Sequence, residues 1–418
     1  MSPASAEPTR AAGLRRLEQF LAAAGSRYVK SRNFDFGPER RGNVSTLSPY
    51  IRHRLVSERE VLAAVLAQHS PATADKFVQE VFWRAYYKGW LEHRPSVWQA
   101  YRSDLARLLQ TLDADSEALA RYKDAVDGRT GVDCFDAWAR ELVGTGYLHN
   151  HARMWFASIW IYTLGLPWQL GADFFYRHLI DGDPATNTLS WRWICGLHTA
   201  GKTYLAKASN IARYTDNRFN PRGQLAANAP PLTESHVHPT RPLPAGEEMP
   251  ADERFGLLVT EEDVGPGSLL GSRTPVAILG AIATQLRSPL QVGVPARDFA
   301  AGAISDGISR SANALGVSGE LADARDWGIL LADWATRHRL KTIVTPHVPV
   351  GPVADQLHGA RDELDRHGIR LVQLRRSYDS KTWPHARRGY FKLKKQIPSI
   401  LECLGLAPEQ SDIDSKAG

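Results

Sequence analysis

The hydrophobic pattern changes partway along the chain, and this change constrains the fold more than any single motif. From Gly13 to about Asn210, apolar residues recur at three- and four-residue spacings, as in LRRLEQFLAAA and VQEVFWRAYYKGW, which is the period of amphipathic helices. Later, the short apolar runs PVAILG, KTIVTPHVPV and IRLVQL are separated by helical segments. That alternation predicts βα units and a small parallel sheet. We therefore expect a mainly α chain, with an all-helical part followed by a smaller α/β domain.

A stretch rich in Pro and Gly separates the two patterns, and such stretches are poor in regular structure. We predict a helical domain over 1–218, a Pro/Gly-rich connection over 219–275 and a small α/β domain over 276–418. Of the twelve tryptophans, nine lie in the first half, and a large helical core would account for most of them. These nine are Trp83, Trp90, Trp98, Trp138, Trp155, Trp160, Trp168, Trp191 and Trp193.

Composition excludes several classes of protein. The chain has no apolar stretch of about 18 residues and no apolar core near its N-terminus, so we expect neither a membrane segment nor export. Cys134, Cys195 and Cys403 are far apart, which predicts no disulfide framework, no zinc site and a cytoplasmic location. The net charge of +6 is compatible with a polyanion such as DNA without indicating one. We favour a monomer and expect no metal.

Residues 196–203 read GLHTAGKT, which fits the P-loop pattern for binding nucleotide phosphates. A working P-loop lies between a buried strand and a helix, but the preceding sequence, TLSWRWIC, does not resemble a central strand. The matching Mg²⁺-binding Asp would be Asp333, which lies in a run with helical spacing. The pattern therefore favours a chance match.

Four other motifs carry more chemistry: VSTLSPY (44–50), QEVFWRAYY (79–87), TGYLHNHARM (145–154) and HLIDGDPATNTLSWRW (178–193). In this order and at this spacing they resemble the flavin-binding domain of the photolyase and cryptochrome superfamily, over about Gly13 to Pro221. The resemblance implies FAD as cofactor. Ordinary members begin with an α/β antenna domain, whereas here an α/β region follows the flavin domain. That region is open to interpretation as a relocated antenna-like domain, and whether it binds a second chromophore stays unknown.

The resemblance also implies the roles of individual residues toward FAD. Arg84 would face the phosphates, Arg153 would pair with Asp181 beside the flavin ring, and Asn187 would face flavin N5. From spacing alone, Ser/Thr residues before SPYI are equally consistent with a helix cap. The cofactor-binding residues implied are Tyr28, Ser45, Thr46, Leu47, Ser48, Phe77, Arg84, Tyr147, Arg153, Asp181, Asp183 and Asn187.

A second group resembles the pocket of cyclobutane-dimer photolyases, which carry Met at the position of Met154. Glu80 would hydrogen-bond a pyrimidine base and Trp83 would stack on it, after the damaged base has been flipped out of the duplex. The catalytic residues implied are Glu80, Trp83, Asn150, Met154 and Trp193. The DNA-binding residues implied are Arg32, His151 and Lys202.

Trp191 matches the tryptophan nearest the flavin in the photoreduction chain of the family, and Trp168 matches the next one. The third position holds Asp115, so the third electron-transfer residue is open. Other departures include Phe77 and Tyr147 in place of tryptophans. The sequence predicts a light-driven enzyme that splits cyclobutane pyrimidine dimers in DNA. The alternatives are a blue-light photoreceptor and a flavoenzyme acting on a small molecule, the latter suggested by the unusual run 199–221.

Overall fold

The first part of the chain folds as helices alone, as the sequence predicts. The computed structural model describes residues 6–250 and 254–406, and no strand occurs within residues 6–250. A π-helical turn, Ile159–Thr163, continues α9. The helices are α1 (Arg10–Leu21), α2 (Ser26–Ser31), α3 (Ser48–Arg52), α4 (Glu58–Gln68), α5 (Pro71–Glu92), α6 (Ser96–Ala114), α7 (Ser116–Asp127), α8 (Asp133–Thr145), α9 (Asn150–Ser158), α10 (Trp168–His178), α11 (Pro184–Ile194) and α12 (Ala208–Tyr214).

Helix α5 is the central element of this part. Ser70 caps its N-terminus by accepting a hydrogen bond from the backbone N–H of Thr73, and Pro71 occupies the first turn, where a missing N–H costs nothing. The helix packs against α2, α4 and α11. Because residues four apart share a helix face, α5 presents Glu80, Arg84 and Lys88 along one side.

A parallel sheet of five strands forms the second part, in the order β3-β2-β1-β4-β5. The strands are β1 (Phe255–Thr260), β2 (Ala277–Ala281), β3 (Ser318–Ala322), β4 (Thr342–Pro346) and β5 (Arg370–Leu374). The helices that follow α12 are α13 (Gly267–Leu270), α14 (Val294–Leu315), α15 (Trp327–Arg337), α16 (Pro352–Gly359), α17 (Arg361–Arg366), α18 (Ser377–Thr382), α19 (Tyr390–Lys394) and α20 (Ile397–Cys403). Two 3₁₀ turns, Thr284–Arg287 and Trp383–Arg387, complete the elements.

Strands β2, β4 and β5 lie in the three apolar runs that predict strands, and Asp333 lies on a helix as expected. The expectation that 219–275 is poor in regular structure is wrong from residue 255 onward, because β1 is the central strand. Every residue of β1 is buried, which is typical of a parallel strand covered on both faces. Strand β3 is largely exposed at the sheet edge, so it has no apolar run to signal it. The domain boundaries themselves stay a prediction.

The connection 215–250 runs over the helical part in extended form. It is held by backbone hydrogen bonds such as Leu232 N–H to the Cys195 carbonyl (3.0 Å) and Arg241 N–H to the His93 carbonyl (2.7 Å). The two parts share one hydrophobic cluster, in which Tyr50 of α3 meets Phe299 of α14 edge to face. In the described ranges 6–250 and 254–406, no helix is both long enough and apolar enough to span a bilayer.

A group of buried ion pairs also joins the two parts, and we name it the Arg54 cluster. Arg54 donates two hydrogen bonds of 2.7 Å to the carboxylate of Asp379 and lies 3.3 Å from Glu58 and 3.2 Å from Asp263. Arg376 binds the same Asp263 through both of its carboxylate oxygens. The group therefore links the end of α3 to the end of β1 and to α18.

Candidate functional site

Asp183, just before α11, lies at the centre of a second group of buried charges, which we name the Asp183 cluster. Its carboxylate is 3.5 Å from Lys88, 3.9 Å from Arg84 and 4.0 Å from Arg52. Glu262, at the end of β1, completes the cluster, with its carboxylate 2.6 Å from Arg52 and 3.7 Å from Lys88. Three cations thus face two carboxylates, and the cluster carries an excess of one positive charge.

This excess of positive charge determines the protonation of Asp183. Burial by itself raises the pKa of a carboxyl group, but Lys88, Arg52 and Arg84 outweigh it and hold the pKa of Asp183 well below its usual value. The same side chain caps α11 by accepting a hydrogen bond of 2.7 Å from the backbone N–H of Thr186. Asp183 is therefore a fixed anion that orders the surrounding cations.

The predicted pair beside the flavin ring is present. Arg153 of α9 donates a hydrogen bond of 2.9 Å to Asp181. Burial opposes ionisation, but Arg153 and a hydrogen bond from Ser48 lower the pKa of Asp181. The guanidinium of Arg153 also lies over the ring of Tyr147, 5.5 Å from its centroid. A fixed positive charge at this place would favour a negatively charged partner.

The loop VSTLS lies directly before α3, and it is not a simple helix cap. Leu47 occupies the cap position and is buried, and no side chain caps the helix there. Thr46 has a positive φ of 49°, which is uncommon for a residue other than glycine. Its hydroxyl donates to the Ser45 carbonyl. The loop thus has an unusual backbone and hydroxyl groups next to Asp181.

Two predicted aromatic contacts lie together at the side of α2. The rings of Tyr28 and Phe77 meet edge to face at 5.3 Å, and Phe20 contacts both. Asn187, on α11, is buried and donates its amide N–H to the Ala172 carbonyl at 2.8 Å. Its side-chain oxygen is the group that remains for a ligand.

The predicted substrate residues are partly engaged within the protein. Glu80 forms an ion pair with Arg32. One face of the Trp83 ring is stacked on Tyr390 of α19, with centroids 3.6 Å apart and planes within 10°. The hydroxyl of Tyr390 donates to the Gln79 carbonyl at 3.0 Å.

The remaining predicted residues are arranged around the same helices. Asn150 is exposed at the first turn of α9, and Met154 is half-buried one turn later. Trp193 stacks on Tyr204 with centroids 5.9 Å apart. His151, a predicted DNA contact, lies flat on Trp155 at 4.9 Å.

Lys202 is exposed in the loop that contains GLHTAGKT. This loop follows helix α11, not a strand, which confirms that its context is not that of a P-loop. His198 of the loop contacts Trp90 and hydrogen-bonds with the Tyr86 hydroxyl at 3.2 Å. The loop therefore packs on α5, beside the predicted substrate residues.

Sequence reasoning missed four residues of the site: Arg52, Lys88, Glu262 and Tyr390. Lys88 carries a signal that could have been found, because it lies four residues after Arg84 on the same face of α5. Glu262 and Tyr390 come from the α/β part, and no local pattern links them to α5. Among the described residues, no group of three His, Cys, Asp or Glu side chains could hold a metal ion.

Several buried polar atoms fit a dinucleotide with a pyrophosphate and a polar ring. Within residues 6–250 and 254–406, Arg84 Nη1, Trp191 Nε1 and Thr186 Oγ1 are buried without a hydrogen-bond partner. Arg84 is the most exposed cation of the Asp183 cluster, at 13%, so it is the one that faces a ligand. A buried donor without a partner is costly, and the negative charge of a pyrophosphate would match the excess cation. The site is that of a helical, dinucleotide-binding protein.

The family is defined by comparison with known proteins. Residues 77–229 match the model of the FAD binding domain of DNA photolyase. The chain is similar to a deoxyribodipyrimidine photo-lyase of Thermus thermophilus, with 35% identity over 219 residues, covering 52% of this chain and 49% of that protein. It is also similar to one of Synechococcus, with 33% identity over 195 residues, covering 45% of this chain and 38% of that protein. The chain belongs to the photolyase/cryptochrome superfamily, and FAD is the cofactor of the matched domain.

A similar solved structure is that of a bacterial class III photolyase from Agrobacterium tumefaciens. The identity is 26% and the TM-score is 0.39, and the match covers 50% of this chain and 43% of that chain. Across these comparisons the chain spans less than half the length of the proteins it matches.

Proposed function

We propose that this protein binds FAD in the helical part and splits cyclobutane pyrimidine dimers in DNA by light-driven electron transfer. The observation that carries the proposal is the arrangement on α5. One face directs Arg84 toward Asp183, and the neighbouring positions Glu80 and Trp83 lie next to the partly exposed end of α9. A cofactor phosphate site and a base-stacking residue thus adjoin on one helix.

Reduced FAD, excited by light, would supply one electron to the dimer and receive it back. The chain's own residues would hold the reactants. Arg153, fixed by Asp181, places a positive charge at the ring, and Arg84 would bind the phosphates. Glu80 would exchange its partner Arg32 for a pyrimidine base, which leaves Arg32 free for a DNA phosphate. Trp83, held from one side by Tyr390, would offer its other face to the flipped base.

The second candidate is a blue-light photoreceptor that binds flavin without repairing DNA. Two observations favour it: Glu80 is already paired with Arg32, and His151 is stacked on Trp155. Both side chains would have to leave these partners to contact DNA.

Repair by the chemically reduced protein separates the two candidates. The FAD-loaded protein is reduced in the dark and illuminated with an oligonucleotide that contains one thymine dimer, and dimer loss is followed by absorbance at the base band. We expect repair, and we expect Glu80→Gln to lower its rate about 10- to 100-fold with unchanged flavin content, as for loss of a hydrogen-bonding acid. Glu117→Gln, on the exposed surface of α7, is the matched control. Flavin bound with no repair would favour the receptor.

Location and assembly stay predictions of this proposal. Cys134 and Cys195 are buried free thiols and Cys403 is an exposed one, which is in keeping with a reducing cytoplasm. A monomer is the expected state, and analytical ultracentrifugation of the loaded protein tests it.

A further inference from the structure

Tyr101 of α6 stacks on Trp168, the second residue of the expected electron-transfer chain. Their ring centroids are 5.8 Å apart and their planes are tilted by 27°. Both residues are buried, at 1% and 6% exposure. Stacked aromatic rings at this separation exchange electrons readily. The third position, which holds Asp115 in sequence, is thus replaced in space by a tyrosine from another helix.

Trp191 lies against the same face of α10 that begins with Trp168. A Cβ on Gly171 would come within 2.3 Å of the Trp191 ring, and Gly171 is three residues after Trp168, so the two share a face. The guanidinium of Arg192, the next residue along, lies 6.0 Å from the centre of the Trp168 ring. Trp191, Trp168 and Tyr101 therefore form a continuous path.

Neighbouring charges determine where an electron vacancy would rest. A cation near an indole disfavours a positive charge on it, and Arg192 lies beside Trp168 while Arg102 lies 5.7 Å from the Trp98 ring. Tyrosine avoids this cost, because it loses its phenol proton on oxidation and becomes neutral. Burial, then the nearby carboxylate of Asp173, raises the pKa of Tyr101 far above its usual value, so the resting phenol keeps its proton. Asp173 is itself buried, and burial raises its pKa, so it is a ready proton acceptor.

The path ends at a cavity. Tyr101 and Trp168 line a cleft of about 500 Å³ together with Arg192, Glu234 and His236. The connection supplies one wall, because Glu234 binds Arg192 through both carboxylate oxygens. A small molecule in this cleft would contact the rings without entering the protein core.

We propose that Tyr101 is the terminal electron donor of the photoreduction chain and that the cleft admits a small thiol that restores it. This proposal rests on the flavin function proposed above. After Trp191 gives one electron to the light-excited oxidised cofactor, Trp168 refills Trp191. Tyr101 then refills Trp168 and passes its phenol proton to Asp173. A thiol returns one electron and one proton to Tyr101 and becomes a thiyl radical, and two of these join as a disulfide.

Transient absorption of the protein loaded with oxidised FAD tests this assignment. We expect a neutral tyrosyl spectrum after a laser flash in the wild type, and dithiothreitol should shorten its lifetime. Tyr101→Phe keeps the stacked ring but cannot lose a proton. The tyrosyl spectrum should disappear in this variant, and the yield of long-lived charge separation should fall about tenfold.

Tyr122→Phe is the matched control, because Tyr122 lies on the other branch, 6.1 Å from Trp160, which contacts Trp191. Its tyrosyl signal should equal that of the wild type. A signal that survives in Tyr101→Phe, or one that disappears in Tyr122→Phe, would overturn the assignment, and a lifetime insensitive to dithiothreitol would overturn the role of the cleft. Repair by chemically reduced Tyr101→Phe should be normal, so failure of this path and failure of the proposed function give different results.

Discussion

The two buried charge clusters have the same number of members and opposite balance. The Asp183 cluster contains three cations and two carboxylates, separated mostly by 3.5 to 4.0 Å. The Arg54 cluster contains two cations and three carboxylates, and its main contacts are hydrogen bonds of 2.5 to 2.8 Å. Both connect the helical part to the α/β part.

This difference distinguishes a site from a structural contact. In the Arg54 cluster the charges are within hydrogen-bonding distance of one another and are almost fully buried, so a ligand has no place there. In the Asp183 cluster the distances are longer, one cation is partly exposed, and its N–H is without a partner among the described residues. Surplus charge with unused donors indicates a binding site, whereas closely matched charge indicates a contact that holds the parts together.

The largest effect is expected from breaking the Arg54 cluster. Arg54→Met leaves the carboxylates of Glu58, Asp263 and Asp379 buried near one another, and removing one partner of a buried pair typically costs about 3–5 kcal/mol. Urea denaturation monitored by tryptophan fluorescence measures this loss. Arg121→Met, which removes an exposed ion pair on α7, should change stability by less than about 0.5 kcal/mol. A similar small change for Arg54→Met would contradict the role of the cluster.

Removing the surplus cation should affect binding and spare the fold. Arg84→Met leaves Asp183 with Arg52 and Lys88, so we expect unfolding of the flavin-free protein to be unchanged within about 0.5 kcal/mol. Charge-assisted hydrogen bonds to phosphate contribute about 1.5–3 kcal/mol, so the dissociation constant for FAD should rise about 10- to 100-fold. Quenching of flavin fluorescence on titration gives this value, and Arg107→Met on the exposed face of α6 is the control. Equal affinity for both variants would exclude Arg84 from the site.

Acid should weaken the Arg54 cluster within a defined range. Burial raises the pKa of Asp263, but Arg376 and Arg54 outweigh it and lower that pKa to about 2. The unfolded value is about 3.9, so the stabilisation is complete above about pH 4 and is lost as the pH falls toward 2. The amount is about 2 kcal/mol. Urea midpoints between pH 5 and pH 2.5 measure it, and Asp263→Asn should show a flatter dependence over this range.

The sequence predicts the helical part and the Arg153–Asp181 pair well, because both depend on spacing within one or two helices. It fails where partners come from distant segments. Glu262 is 210 residues from Arg52, and Tyr390 is brought to Trp83 only by the packing of the α/β part on α5. Strand β1 is missed because its six residues are flanked by Pro and Gly, although its uniform burial explains their apolar character. Long-range charge pairing has no local signal, so the balance of the two clusters is visible only in the structure.

The smallest effect concerns the loop that carries GLHTAGKT, on the side of the site. Burial, followed by Arg192 and Arg94, lowers the pKa of His198 to about 4, compared with about 6.5 when unfolded. Because the folded pKa is lower, the loop should lose stability as the pH falls from 6.5 toward 4, above the range in which Asp263 titrates. We expect a local loss of about 1 kcal/mol, measured by hydrogen exchange of residues 196–203.

His198→Phe should abolish this pH dependence, because a phenyl ring cannot be protonated and keeps the contact with Trp90. The exposed His367→Phe is the control and should leave the dependence intact. Exchange in the loop that responds to pH equally in wild type and His198→Phe would mean that another group controls it. If the loop responds between pH 6.5 and 4 while global unfolding does not, the site and the Arg54 cluster respond to pH independently, as their opposite charge balance implies.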